Sequence, residues 1–231
     1  HHPRASVDLI GHAAAVSALA EARQGGRLHH GWLICGPRGI GKATLAYRFA
    51  RALLAGAPPA DSGLFGDAPV DDLSVDAESA VFRQVLAGSH PDLLAIERGF
   101  DPRRKRLRDE IVVDDVREIG GFLALTPAMG GWRIVIVDAA DEMNRNAANA
   151  ILKLLEEPPA RALVILVSHN PGRLLPTIRS RCRQLPLRPL AEAEVAGLLA
   201  RLRPELDAAE QAALVSLAEG SIGRAILLAD V

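Results

Sequence analysis

Lys42 ends the glycine-rich run Gly36-Pro37-Arg38-Gly39-Ile40-Gly41, and Asp138 ends the apolar run Arg133-Ile134-Val135-Ile136-Val137. A mobile ammonium behind such a loop and a carboxylate at a strand end are what a phosphate site requires. Gly36, Gly39 and Gly41 let backbone N–H groups approach phosphate oxygens. A helix beginning at Lys42 would add the positive end of its dipole. Two groups needed for hydrolysis are missing. The residue after the lysine normally offers Mg²⁺ a hydroxyl, and here it is Ala43. Thr44 is turned roughly 100° further around the helix and does not simply replace it. Beside Asp138, where a second carboxylate would align water, stands Ala139. Two readings stay open for Lys42: it holds a nucleotide or bare anion, or it survives as a loop anchor. Asp141 and Glu142 read as a solvated helix start. His169, in Ser168-His169-Asn170, reads as a packed or capping residue.

Ser180-Arg181-Cys182 is the second chemical feature. A guanidinium is permanently charged and planar, which suits charge developing on phosphate oxygens. Taken alone, without the residues around it, Arg181 reads as a surface arginine in a turn. Arg103, Arg104, Lys105, Arg106 and Arg108 form a basic cluster. It reads as a solvated loop, with contact to DNA phosphates or to a partner as the other reading. No aromatic residues are interleaved with it, so its signal is weak.

The chain has 231 residues, 49% of them hydrophobic, a net charge of -1 and two cysteines, Cys35 and Cys182. That composition supports a real core and speaks against global disorder. Near-neutral charge gives no general footprint for nucleic acid. Two distant cysteines, each beside strand-like sequence, point to a reduced, cytoplasmic protein. No signal peptide and no membrane-spanning run is visible, so no membrane partner is expected.

The elements that must position these residues alternate. Helices are expected over 9–21, from Lys42 to about Leu53, and over 77–86, 114–123 and 146–157. Strands are expected over 31–35, 92–96, 132–137, 163–167 and 182–187. Segments 57–72 and 98–108 read as loops. Continuous apolar strands between helices indicate a parallel sheet covered on both faces. After Pro189 only helices follow, over 191–203, 207–218 and 222–229. The expected division is an α/β unit over 1–187 and a small all-helical unit over 188–231.

Three blocks carry a family resemblance: the loop through Thr44, then Asn149-Ala150-Ile151-Leu152-Lys153-Leu154-Leu155-Glu156-Glu157-Pro158-Pro159, then Leu175-Pro176-Thr177-Ile178-Arg179-Ser180-Arg181-Cys182. Together they resemble the AAA+ clamp-loader subunits of bacterial DNA polymerase III. The pattern is most similar to the delta prime branch, favoured by His90-Pro91-Asp92 and Asp138-Ala139-Ala140-Asp141. The resemblance implies an AAA+ phosphate-loop fold with a five-stranded parallel sheet and a helical lid. It implies a non-hydrolysing stator of the clamp loader, with Arg181 as an arginine finger for the ATP site of an adjacent gamma/tau subunit. Ser180 and Cys182 would position that finger. The implied partners are gamma/tau and delta, with the sliding clamp and primer-template DNA met through the assembled complex. No cofactor is required on this reading. Weak ATP, ADP or an anion at Gly36, Gly39, Gly41, Lys42, Thr44 and Asp138 is the most the loop would hold. The family's four-cysteine zinc module has no counterpart here, so no metal is expected. The lid arginine that senses nucleotide falls one place late, at Arg224, with Gly223 in its position. A helical collar should follow the lid, so the chain is expected to be truncated and to assemble poorly alone. The alternative within the resemblance is an active ATPase of gamma/tau type.

Overall fold

A computed structural model describes residues 2–26, 28–56, 72–129 and 131–230. The loop expected over 57–72 therefore lies almost wholly outside the described residues. A five-stranded sheet forms the centre, with β1 (Gly31–Cys35), β2 (Leu93–Ile96), β5 (Arg133–Asp138), β6 (Ala162–Ser168) and β7 (Arg183–Pro186). Its order is β2-β5-β6-β1-β7, and every pairing is parallel. Because side chains alternate across a strand, β1 sends Trp32 and Ile34 to one face and Leu33 and Cys35 to the other. Trp32 and Ile34 join Leu45, Phe49 and Leu53 of α2 (Lys42–Leu54) and Leu19 of α1 (Ala13–Gln24). Leu33 and Cys35 join α4 (Val113–Ala124), α5 (Arg145–Glu156) and α6 (Pro176–Arg181). A short helix, α3 (Ala80–Ala87), is capped by the Ser79 hydroxyl, which accepts the Phe82 N–H at 3.1 Å.

Three helices, α7 (Glu192–Leu202), α8 (Ala208–Ala218) and α9 (Ile222–Ala229), have a separate core of Leu190, Val195, Leu199, Val215, Ala218 and Ala225. Asp207 and Glu210 close α8 reciprocally: each side chain accepts the other's backbone N–H, at 2.8 and 2.9 Å.

Three local expectations need correction. The first helix begins at Ala13, not Leu9, because Gly11 and His12 both take left-handed backbone, φ 71° and 61°. The segment over 98–108 is not a plain loop. It holds a hairpin of β3 (Phe100–Asp101) and β4 (Arg106–Leu107). Asp101 nucleates its turn by accepting the N–H groups of Arg103 and Arg104 at 2.9 and 3.2 Å. Arg181 does not sit in a turn. It is the last residue of α6, a helix whose start Pro176 favours at its first position.

Candidate functional site: a phosphate loop under a helical lid

β1 delivers the chain into the glycine loop, and α2 begins at Lys42. The Lys42 side chain is buried, and its ammonium donates to the Pro37 carbonyl within the same loop. Burial pushes its pKa down to about 8, against the opposing pull of Asp138 and Asp141. Asp138, at the end of β5, is pushed up to about 6 by burial and by nearby Glu97, with Lys42 working the other way. Both groups are still mostly charged at pH 7. Gly39, Gly41, Lys42, Ala43, Thr44, Asp138 and His169 all line one cleft of about 560 Å³. Gly36 lies deeper. A side chain there would meet the Leu187 carbonyl at 2.4 Å.

The two carboxylates after Asp138 are not a solvated helix start, as their spacing predicts. They lie in a 3-10 turn, Ala140–Glu142, and both are committed. Asp141 is buried and accepts the backbone N–H groups of His169 and Asn170 at 2.8 and 3.1 Å. Burial alone would raise its pKa, but the His169 N–H and its other hydrogen bonds bring it below the usual range. Glu142 accepts from Arg38 of the phosphate loop at 2.6 Å and pairs with Arg98 at 2.8 Å. Ala139 is buried and contributes no polar atom. His169 is held neutral, its pKa lowered to about 4 by burial and then by Lys42 and Arg38. The residues present do not fit a hydrolytic Mg²⁺ site: there is no hydroxyl at Ala43, and no uncommitted carboxylate beside Asp138. Among the described residues, no group of three or more His, Cys, Asp or Glu could hold a metal ion.

Helix α9 docks directly on the phosphate loop. The Ser221 hydroxyl caps α9 by accepting the Arg224 N–H at 3.1 Å, and donates to the Arg38 carbonyl at 2.9 Å. The Gly223 N–H donates to the Gly39 carbonyl at 2.9 Å. The two glycine backbones touch: a Cβ on Gly223 would stand 2.8 Å from the Gly39 Cα. Arg224 pairs with Glu219 at 2.5 Å and is not among the residues lining the cleft. The place where a sensing arginine would align is thus a point of backbone contact. Sequence reasoning missed the cleft's other wall. Residues 5–10 line it, tied down where Arg51 donates to the Arg4 and Ser6 carbonyls and Arg48 to that of Val7. Arg201 of α7 also lines it and pairs with Asp8. No local pattern announces a contact between residues 193 positions apart.

The Ser180-Arg181-Cys182 step lies elsewhere. Gly31, at the start of β1, has the Arg181 carbonyl and the Cys182 sulfur within 3.3 Å of where its Cβ would be. The phosphate loop leaves the opposite end of β1. At about 3.3 Å per residue, the strand alone separates the two by about 13 Å. Cys182 is buried against β1, and burial pushes its thiol up to about 12, so it packs as a neutral side chain. The Ser180 hydroxyl donates to the Thr177 carbonyl at 3.1 Å. Arg181 donates to that same carbonyl at 3.1 Å and pairs with Glu156 at 2.8 Å.

A glycine loop after β1, an acidic end to β5 and a helical lid over one cleft define a phosphate-loop protein of the AAA+ class. The profile of the family described as "DNA polymerase III, delta subunit" matches residues 11–191, and the chain belongs to that family. It is 39% identical over 199 residues to the DNA polymerase III subunit delta' of Pseudomonas aeruginosa, covering 85% of this chain and 55% of that protein. It is 31% identical over 234 residues to the tau/gamma subunit of Haemophilus influenzae, covering 99% of this chain and 31% of that protein. The chain thus spans about half the length of the first relative and a third of the second. A Thermotoga maritima RuvB structure shares the fold, with a TM-score of 0.58 at 15% identity over 98% of this chain and 64% of that one. No helix among the described residues is long and apolar enough to cross a membrane.

Proposed function

We propose that this chain acts as a non-hydrolysing subunit of a sliding-clamp loader, the delta prime stator, and that Arg181 completes the ATP site of an adjoining gamma/tau subunit. The observation that carries this is the separation of the two chemical features along β1. Arg181 stands at the strand end away from its own phosphate loop, so a nucleotide it serves must belong to a neighbour. The committed state of Asp141 and Glu142, with Ala43 and Ala139, supports a home site that does not hydrolyse. On this reading residues 1–187 and 188–231 are two units, and the chain works in the cytoplasm beside gamma/tau and delta. It meets clamp and primed DNA through the complex. It needs no cofactor and no zinc of its own, and Lys42 holds at most a weak nucleotide or anion.

The test is ATP turnover in a loader reconstituted with the full-length polypeptide, clamp and primed DNA. Trans arginines in other nucleotide hydrolases contribute on the order of 10³–10⁵ in rate. Arg181→Ala should therefore silence the adjoining site while assembly, read by gel filtration, persists. Unchanged turnover in a correctly assembled complex rules the finger out. Turnover by the isolated chain that Lys42→Ala abolishes would favour the gamma/tau-type reading instead.

A further inference from the structure

The two sequence blocks richest in family signal, Leu152 to Pro159 and Ser180 to Cys182, meet in one ion pair. Glu156 is the last residue of α5, and Arg181 is the last residue of α6. One Nη of Arg181 lies 2.8 Å from a Glu156 carboxylate oxygen, and the other donates to the Thr177 carbonyl at 3.1 Å. A carboxylate at a helix C-terminus faces the negative end of the dipole and is disfavoured there unless a cation answers it. Pro158 and Pro159 end α5 just behind it, which fixes where that carboxylate stands.

The pair does little for the fold. Its side chains are 36% and 46% exposed, and half-exposed pairs add little stability. Its effect is on orientation. The guanidinium is a rigid fork of five N–H groups. The two contacts take one N–H on each Nη, leaving the second N–H of each and the Nε–H for phosphate oxygens. An unrestrained arginine at a helix end must be ordered when it engages a ligand, and one already held avoids that loss.

We infer that Glu156 is a positioning residue for Arg181, holding the guanidinium in the orientation in which a neighbour's triphosphate meets it. This rests on the reading of Arg181 as a trans finger. Glu156 also competes with the phosphates for the same cation. That competition is weak for a half-exposed pair, so the gain from ordering a long side chain outweighs it.

The experiment is a double-mutant cycle in the reconstituted loader, with the full-length polypeptide carrying Glu156→Gln, Arg181→Ala or both. Clamp- and DNA-stimulated ATP turnover is measured across ATP concentrations. Glu156→Gln should lower kcat about two- to tenfold, the range expected for ordering one side chain, with KM for ATP little changed. On the Arg181→Ala background the same substitution should have no further effect. Equal losses with and without Arg181 would mark Glu156 as merely structural and overturn the proposal. So would unchanged or faster turnover for Glu156→Gln, which would make the pair idle or a restraint. If Arg181→Ala itself leaves turnover intact, the finger reading falls first and this inference with it.

Discussion

At the level of single residues, the phosphate loop is surrounded by carboxylates whose oxygens are already in use. Asp141 bonds the backbone at the end of β6, and Glu142 bonds two arginines. Among the described residues lining the cleft, Asp138 is the carboxylate with a raised pKa, about 6 against an ordinary 3.8. The sign follows from linkage. The folded state holds this proton more tightly than the unfolded chain does, so stability contributed by Asp138 falls as pH rises from about 4 to about 6. Asp138→Asn removes that loss. Above pH 6 the variant should be more stable than wild type by roughly 1–3 kcal/mol, with the two converging below pH 4. Urea melts at pH 4 and pH 7 measure this. A variant that is less stable at pH 7 would mean that Asp138 anchors the loop through Lys42 more strongly than burial penalises it.

Among the elements, α9 is the one whose position determines what the loop can do. Its N-terminal Ser221 and Gly223 bond two successive carbonyls of the phosphate loop, those of Arg38 and Gly39. The contact requires that neither Gly39 nor Gly223 carry a side chain, since each lies within 3 Å of the other's hypothetical Cβ. Gly223→Ala must therefore push α9 away from the loop backbone. Overpacking of this kind costs about 1–3 kcal/mol. Thermal melting should fall by several degrees, and hydrogen exchange at residue 223 should accelerate with it. A melting temperature equal to wild type, with that amide still protected, would show that the lid stands off the loop in solution. The hairpin of β3 and β4 has a quieter role than its charge suggests. Arg106 makes two 2.9 Å bonds to Asp109, and Arg108 pairs with Asp115, so part of the basic cluster is answered within the chain.

The whole molecule has two chemical ends. Strand C-termini, the lid and the N-terminal segment enclose the cleft, and the Arg181 step lies at the other end of β1. The cleft has the volume and apolar lining of a small-molecule site. Its floor differs from that of a hydrolytic site, because Lys42 is turned into its own loop and the next residue, Ala43, offers no hydroxyl to Mg²⁺. Calorimetric titration with ATP should give weak or absent binding, unchanged by Mg²⁺. Tight, Mg²⁺-dependent binding lost in Lys42→Ala would show that the loop reorganises around nucleotide.

Much of this was legible from composition and period. All five sheet strands and the three lid helices fall within a few residues of their sequence positions, because buried parallel strands and amphipathic helices write their periodicity locally. The glycine loop, Lys42 and Asp138 were legible for the same reason, since strand, loop and helix are contiguous. Less visible were the hairpin over 100–107, whose strands are too short to show a period, and α6, a helix of six residues. Asp141 and Glu142 looked solvated because their partners come from β6, the loop and residue 98. Sequence alone determined that a phosphate loop exists, that Ala43 brings no hydroxyl and Ala139 no carboxylate to it, and that an arginine follows the serine at 180. Only the tertiary structure decided that the lid backbone contacts the loop, that Asp141 and Glu142 are committed, and that Glu156 pairs with Arg181. Each of those depends on backbone or side-chain groups brought within hydrogen-bond reach by packing between distant elements, a proximity that spacing along the chain does not encode.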